Sequence, residues 1–285
     1  MGQPTPSRSG RRSIDLATVL GLAVAVGAIL GGLLLEGGKI TDIGQLTAAM
    51  IVLGGTLGAV MVTTPVETLK AAVKKLPQVV WNPASNYESL LDDILNLSAE
   101  ARKNRLIAID NQVQELPNPF LKKTLSMAID GTDPKVIRGI MELEICADEK
   151  RGEAEAKVFE SAGGYAPTIG IIGAVLGLIQ VMKHLEDIEA VGHGIAVAFV
   201  ATVYGVAVAN LVFLPIANKL KSRVHHSVDE KEFLLEGAMA IVEGLHPNLI
   251  RHKLLAFASE IADSAGEPGE RRAAARAASA VRSAA

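Results

Sequence analysis

The stretch YAPTIGIIGAVLGLIQVM occupies residues 165–182 and contains no charged side chain. Its length is close to the roughly 20 helical residues that a hydrocarbon core about 30 Å thick requires. Three other apolar stretches of similar length lie at residues 14–35, 43–64 and 194–217, and the mean hydropathy of the chain is +0.31. We therefore predict an all-α fold, namely a polytopic membrane protein with four transmembrane helices and a helical cytoplasmic domain.

Basic residues beside the spans indicate their orientation, because positive charge concentrates on the cytoplasmic side of membrane proteins. The links between the first and second spans (36–42) and between the third and fourth (183–189) are short. The basic clusters lie instead before the first span, after the second and after the fourth, at Arg8, Arg11, Arg12, Lys70, Lys74, Lys75, Lys219, Lys221 and Arg223. These flanks predict a multi-pass protein of the bacterial inner membrane with both termini in the cytoplasm.

The polar segments between and beyond the spans have helical patterns. Leu90, Leu91, Ile94 and Leu95 form one apolar face, and Pro134 is well placed as the first residue of a helix. We therefore divide the chain into a disordered N-terminus (1–12), a transmembrane hairpin (13–64), a cytoplasmic helical domain (65–160), a second transmembrane hairpin (161–217), cytoplasmic C-terminal helices (218–262) and a low-complexity tail (263–285).

Glycines recur within the spans at intervals of about three or four residues. Such spacing places small residues on one helix face, where they allow close contact between helices in lipid. Two interpretations remain open, ordinary packing within one subunit and association between copies of the chain. The three sets are Gly27, Gly31 and Gly32, then Gly54, Gly55 and Gly58, and finally Gly170, Gly173 and Gly177.

The sequence contains no pattern typical of enzyme chemistry, with no P-loop, no HExxH and no G-x-S-x-G. We expect no enzyme activity, no catalytic residue and no cofactor. Cys146 is the single cysteine, and the adjacent pair His225 and His226 cannot share one helix face, so we expect no metal site. The net charge of −3 argues against a nucleic-acid partner.

The third and fourth spans lack the ionisable groups on which proton relays depend. No Asp, Glu, Lys, Arg or His lies between Tyr165 and Met182 or between Ile195 and Asn218. The chain by itself therefore has no obvious means of carrying a proton across the membrane. Its polar features in these spans are Pro167, Thr202, Tyr204 and Pro215.

At these residues the chain resembles the MotA branch of the MotA/TolQ/ExbB family. The resemblance covers roughly residues 13–260, and four spans favour the MotA branch, since TolQ and ExbB proteins have three. The stretches that carry it are APTIGIIGAVLGLI (166–179), AFVATVYG (198–205), LEGAMAIVEG (235–244), Pro247 and RHKL (251–254).

The resemblance implies an ion-conducting stator subunit of the bacterial flagellar motor, embedded in membrane lipid. Five such subunits, a homopentamer, would surround two copies of a MotB-like partner with one span and a peptidoglycan-binding domain. That partner would supply the membrane aspartate that this chain lacks. Ion flow would then turn the ring against the rotor protein FliG, which the cytoplasmic helical domain would face.

The resemblance also implies roles for individual residues. Pro167 and Pro215 correspond to hinge or gating prolines, and Thr202 to a threonine that lines the ion channel. Arg102 and Asp110 correspond to the rotor-facing charge pair, although the family usually has glutamate at the second position. Sodium-driven relatives tend to have threonine where this chain has Ala174 in the channel lining, so the resemblance implies the proton as coupling ion.

The same resemblance also allows a second function. A TolQ- or ExbB-type energiser would use the same proton flow for envelope maintenance or outer-membrane transport. The fourth span and the segment containing Arg102 and Asp110 favour the motor. A substrate transporter is disfavoured because the spans contain neither an inverted repeat nor a polar substrate pocket.

Overall fold

The computed structural model describes residues 13–14, 16–82 and 87–264. The predicted disordered N-terminus (1–12) and all of the predicted low-complexity tail beyond residue 264 lie outside these residues. Four helical stretches of the described chain are long and apolar enough to cross a membrane: Thr18–Leu35, Leu46–Thr63, Pro134–Lys183 and Ile188–Val242. The predicted fold class, an all-α polytopic membrane protein, is confirmed.

The first third of the chain forms the first two spans and two short helices after them. A minimal antiparallel pairing joins β1 (Ser13–Ile14) to β2 (Trp81–Asn82). The helices are α1 (Leu16–Leu35), α2 (Ile40–Ile43), α3 (Leu46–Ala49), α4 (Gly55–Thr63), α5 (Val66–Lys75) and α6 (Pro77–Val80), with a π-helical segment, Met50–Gly54, between α3 and α4.

The remainder of the described chain is also helical. Two of its helices begin at side-chain caps, because Asn118 accepts hydrogen bonds from the backbone N–H groups of Phe120 and Leu121, and Asp187 accepts them from Glu189 and Ala190. The elements are α7 (Tyr87–Asn104), a 3₁₀ turn (Leu106–Ile109), α8 (Asp110–Gln114), α9 (Pro119–Ile129), α10 (Pro134–Lys183), α11 (Ile188–Val208), a π-helical segment (Ala209–Phe213), α12 (Leu214–Val242) and α13 (Pro247–Ser264).

The third span does not begin a new helix. We expected a charged helix that starts at Pro134 and a separate span at 165–182, but α10 runs without a break through both. The pair Gly163 and Gly164 therefore lies inside a helix. Glycine lowers helix propensity by only about 1 kcal/mol, which the packing on both sides of this pair outweighs.

The chain divides into two compact units, and the division differs from the predicted domains. Among the described residues, the membrane unit contains 13–14, 16–82 and 151–223, and the bundle unit contains 87–150 and 224–264. The segments 65–82 and 151–160, predicted to be part of the helical domain 65–160, belong to the membrane unit. Residues 224–262 of the predicted C-terminal helices share one core with the helices of residues 87–150.

Each unit has its own apolar core. In the bundle unit, Ile94 of α7, Leu121 of α9, Met141 of α10 and Phe233 of α12 are almost completely buried in one cluster. In the membrane unit, α5 packs through Ala72 into a second cluster, whose other members include Val60, Ala156, Phe159 and Leu220. This contact explains why α5 belongs to the membrane unit: its one buried face is covered by residues 156–162 and 217–220.

Glu236 joins three helices of the bundle unit. Arg138 of α10 donates a hydrogen bond of 2.6 Å to Glu236 Oε1, and Lys253 Nζ of α13 lies 2.6 Å from Oε2. Burial by itself would raise the pKa of Glu236, but the hydrogen bonds from Arg138 and Lys253 outweigh burial and hold this pKa below its usual value. The carboxylate is thus stabilised as an anion in the folded protein.

We expect the substitution Glu236→Gln to destabilise the bundle unit by about 1–2 kcal/mol at pH 7, because charged hydrogen bonds to two cations are lost. A carboxylate with a lowered pKa stabilises the fold above its unfolded pKa, and this stabilisation disappears as the pH falls through the lower folded pKa. The difference between wild type and variant should therefore shrink in acid. Thermal unfolding of the purified chain, measured from pH 3 to pH 8, checks this.

Glu243→Gln is the matched control for this experiment. Glu243 follows the end of α12 directly and is exposed. Neutralising it should leave the unfolding temperature within experimental error at every pH. A pH-independent difference between wild type and Glu236→Gln would contradict the predicted role of the carboxylate charge.

Candidate functional site

The third and fourth spans pack backbone against backbone. A Cβ atom added at Gly205 of α11 would lie 2.6 Å from the carbonyl oxygen of Ala166 and 3.1 Å from the Cα of Gly170 in α10. A Cβ at Gly177 would lie 2.9 Å from both the Ala198 nitrogen and the Gly194 oxygen. These glycines therefore make contacts between two helices of one subunit. For the third span, this supports the first of the two interpretations, ordinary packing within the subunit.

The glycines of the first span behave differently. A Cβ at Gly27, Gly31 or Gly32 would meet no atom within 4 Å. No described residue therefore packs closely on this glycine face of α1. For this span, association with another chain remains the open interpretation.

Two of the predicted site residues, the hinge Pro167 and the channel residue Thr202, lie at this close contact between α10 and α11, which we call the seam. A Cβ at Gly205 would lie 3.2 Å from the Cα of Pro167, and one at Gly170 would lie 3.5 Å from the Cα of Thr202. The Thr202 hydroxyl donates to the carbonyl oxygen of Ala198 at 3.3 Å, so its two lone pairs remain available. Ala174 lies one turn beyond Gly170 in α10 and is partly exposed. The structure thus brings Pro167 and Thr202 into neighbouring turns of two packed helices.

Pro215 lies apart from this seam, near the start of α12. It follows the π-helical segment Ala209–Phe213, in which the N–H of Leu214 bonds to the carbonyl oxygen of Ala209, five residues earlier. Proline has no N–H and its ring clashes with the carbonyl four residues before it. The wider π turn accommodates both effects, so the helical path continues through the proline.

Tyr204 links the fourth span to the start of the second through hydrogen bonds. Its hydroxyl donates to the carbonyl oxygen of Ile43 at 2.5 Å and accepts from the N–H of Gln45 at 3.4 Å. These backbone groups lie between α2 and α3, where the N–H of Gln45 also donates to the carbonyl oxygen of Ile43 at 2.9 Å. The sequence indicated Tyr204 only as a polar residue inside an apolar span, and its partner 161 residues away could not be read from local patterns.

An ion pair in the membrane unit joins a buried carboxylate to a partly exposed lysine. Glu155 of α10 is only 4 % exposed, and Lys75 Nζ at the end of α5 lies 2.9 Å from its Oε2. Sequence analysis missed Glu155, because it is one of several charged residues in a charged helical stretch. Its signal is weak in the sequence: it lies beside Ala154 and Ala156, on a face with few large polar side chains.

The two predicted rotor residues lie on the surface of the bundle unit. Arg102 is in the last turn of α7 and Asp110 is the first residue of α8, and both are exposed. Asp110 Oδ1 accepts a hydrogen bond of 3.4 Å from Gln114, whereas Arg102 makes no hydrogen bond or ion pair within the described chain. The two charges are therefore separate and both are accessible to another molecule.

Arg105, between these two charges, has a strained backbone. Its φ of 67° and ψ of 162° make it the one non-glycine residue with positive φ in the described part of the chain. This combination is essentially restricted to glycine and costs another residue about 1–3 kcal/mol.

We expect Arg105→Gly to stabilise the bundle unit by about 1 kcal/mol, because the relief of strain exceeds the entropy that glycine adds to the unfolded chain. Arg105→Ala is the matched control, since it removes the same charge but keeps the Cβ atom. Chemical unfolding of the two purified variants distinguishes strain from charge. Equal stability of Arg105→Gly and Arg105→Ala would contradict the backbone strain that we infer at Arg105.

No group of three or more His, Cys, Asp or Glu side chains that could hold a metal ion occurs among the described residues. The notable arrangement is instead a glycine-packed helix pair in an apolar unit, together with an exposed charged turn in a helical bundle. This combination defines a class, a polytopic helical membrane protein that also contains a helical bundle with a charged surface turn.

Comparison with known proteins identifies the family. Residues 112–233 match the MotA/TolQ/ExbB proton channel family, and residues 19–105 match the family described as Motility protein A N-terminal. Motility protein A of Bacillus subtilis (strain 168) is 34 % identical over 248 residues, which cover 86 % of this chain and 91 % of that protein. The chain belongs to the MotA/TolQ/ExbB proton channel family.

Solved structures support the same relationship. The structure of C. jejuni MotAB matches with a TM-score of 0.81 and 32 % identity, over 86 % of this chain and 96 % of that one. The flagellar MotAB stator complex from Bacillus subtilis matches with a TM-score of 0.78 and 33 % identity, over 85 % and 95 %. The chain is thus a multi-pass inner-membrane subunit of the flagellar stator type, and the match at residues 19–105 favours this function over an envelope energiser.

Proposed function

We propose that this chain conducts protons together with a MotB-like partner that has one span, a peptidoglycan-binding domain and a membrane aspartate. The observation that carries the proposal is the absence of Asp, Glu, Lys, Arg and His from residues 16–35, 46–63, 165–182 and 195–213. A proton path beside α10 and α11 therefore needs an acidic group from another chain. The solved relatives are MotAB complexes, which supports such a partner.

In this proposal Thr202 and Ala174 line the ion path, and Pro167 and Pro215 are the hinges. The free lone pairs of Thr202 offer one oxygen to a passing ion. Ala174 offers none, so too few oxygens are present to replace the hydration shell of sodium. Protons are the expected coupling ion, with no cofactor and no covalent chemistry in this chain.

We also propose that five copies form a ring. Outside the spans, α10 exposes three large apolar side chains at helical spacing, namely Val136, Ile140 and Leu143, and Leu143 is 72 % exposed. Such a stripe on a water-facing helix is typical of a surface covered by another chain. The free glycine face of α1 offers a second contact surface in the membrane. Both features support self-association, and the number five comes from the family resemblance.

The proposed orientation places both termini and the bundle unit in the cytoplasm. Lys70, Lys74 and Lys75 follow the second span directly, which is typical of the cytoplasmic side. Arg102 and Asp110 would then face the rotor protein FliG. Exposed charges suit a contact that must form and release rapidly.

The test is swimming speed in a stator-deleted strain that expresses this chain with its candidate MotB-like partner. Sodium is varied at fixed pH, and a protonophore is then added. We expect motility to be restored, to be independent of the sodium concentration and to stop when the protonophore is added. Motility that follows sodium would overturn proton coupling. If both proteins are in the membrane and motility is absent, the proposed partnership fails.

Reversal of the Arg102 charge should lower swimming speed by about twofold in this assay. A like charge at the rotor contact weakens the contact without changing the fold, because Arg102 has no partner in the described chain. Lys135→Glu is the control, since Lys135 is also exposed and unpaired among the described residues. Equal speeds of Arg102→Glu and Lys135→Glu would argue against a rotor contact at Arg102.

A further inference from the structure

The turn between the two proposed rotor charges exposes one large apolar side chain. Ile107 is 74 % exposed, the highest value for a large apolar side chain in the described part of the bundle unit. Two neighbours in the same 3₁₀ turn contact the core: Ile109 is fully buried, and Leu106 packs against the core cluster. The inner face of the turn therefore packs on the core of the bundle unit, whereas Ile107 on its outer face is exposed to solvent in the described chain.

A single exposed isoleucine is common on protein surfaces and decides nothing alone. Here the backbone supplies a second observation. The strained conformation of Arg105 directs the chain so that Leu106 and Ile109 enter the core while Ile107 points away from it. Strain of this kind persists where the surrounding structure enforces it, and it is concentrated at functional sites.

The charges around Ile107 indicate the chemistry of what covers it. Arg102, Lys103 and Arg105 are exposed cations, and Asp110 is the one exposed anion of the segment 102–110. None of the three cations has an ion-pair partner within the described residues. Two copies of this turn would repel each other, whereas an acidic surface would complement it. Charged groups that surround a central apolar side chain also exclude water from it, as in protein–protein hot spots.

We infer that Ile107 is the apolar anchor of the rotor contact, held outward by the strained turn at Arg105 and received by an apolar pocket in a net-acidic face of the rotor protein. This inference rests on the proposed rotor contact of Arg102 and Asp110. It adds a short-range apolar contact to a charge pair that acts at longer range. The charges guide the approach, and burial of Ile107 sets how firmly the two surfaces engage.

The experiment uses the full chain with its partner in the stator-deleted strain. The photoreactive residue p-benzoylphenylalanine is placed at position 107 or, as a control, at position 249, where Leu249 is another exposed apolar side chain of the bundle unit. Irradiation should crosslink position 107 to the rotor protein with a yield at least roughly tenfold above that of position 249, as the burial of one isoleucine in a contact predicts.

Substitutions give the second arm. Ile107→Ser should slow swimming severely at unchanged membrane abundance, while Ile107→Leu and Leu249→Ser should swim as wild type does. Normal swimming of Ile107→Ser, or a crosslink from position 107 to a second copy of this chain instead of the rotor protein, would overturn the inference and leave the proposed function intact. Failure of the wild-type chain itself to restore motility would overturn the proposed function, and the inference with it.

Discussion

Gly205→Ala should separate the third and fourth spans and abolish function. The added methyl carbon would lie 2.6 Å from the carbonyl oxygen of Ala166, 3.1 Å from the Cα of Gly170 and 3.2 Å from the Cα of Pro167. All three are backbone atoms of α10, so no side-chain rotation can relieve the overlap. The helices must move apart, which forfeits the dispersion contacts that hold membrane helices together.

The expected cost of this substitution is about 3 kcal/mol or more, at the upper end of the range for an overpacked core. Assembly of the detergent-solubilised complex and swimming speed are the measurements. Gly192→Ala is the matched control, because Gly192 lies in the same helix and a Cβ there would meet no described atom within 4 Å. Gly163→Ala should fall between the two, since its obstacle is the flexible side chain of Leu214. Equal assembly and swimming speed of Gly205→Ala and Gly192→Ala would contradict the close packing of α10 against α11.

Lys75→Met should destabilise the membrane unit by about 3 kcal/mol, the lower end of the range for breaking a buried ion pair. The lower end applies because the Lys75 side chain is 39 % exposed, whereas that of Glu155 is 6 % exposed. The loss arises chiefly from Glu155, whose charge would remain buried without its cation. The second substitution, Glu155→Gln, should therefore restore most of the stability that the first one removes.

Thermal unfolding of the single and double variants measures this coupling directly. Lys221→Met is the control, because Lys221 also pairs with a glutamate of α10, Glu160, but both side chains are more than one-third exposed. An exposed pair contributes at most about 1 kcal/mol. Equal losses for Lys75→Met and Lys221→Met, or a double variant less stable than Lys75→Met alone, would contradict the role of burial.

The fold class was predictable because its determinants are local. Hydropathy over some twenty residues identifies a span, and each span carries its own signal in consecutive residues. Helix starts were similarly legible, since Asp133 and Pro134 determine the start of α10 through the hydrogen bond from the Lys135 N–H to the Asp133 carboxylate. The roles of Thr202, Ala174, Pro167, Pro215, Arg102 and Asp110 came from the family resemblance and stay predictions.

The boundaries between units were harder to predict. The pair Gly163 and Gly164 and the change from charged to apolar sequence suggested a domain boundary at residue 160. The helix continues there because glycine weakens a helix only modestly, and packing on both sides outweighs that cost. Likewise, whether α5 belongs to the spans depended on what covers Ala72, which lies far away in the sequence.

The sequence by itself determined that this chain is a four-span helical membrane protein, and its motifs indicated the family. Only the tertiary structure decided which glycines are contacts within the subunit, that Tyr204 bonds to the backbone at Ile43, that Glu155 is buried against Lys75 and that Ile107 points outward. The physical reason is the range of the interactions. Hydropathy and capping act between residues close in the chain, whereas close packing, buried charge and surface exposure depend on partners that only folding brings together.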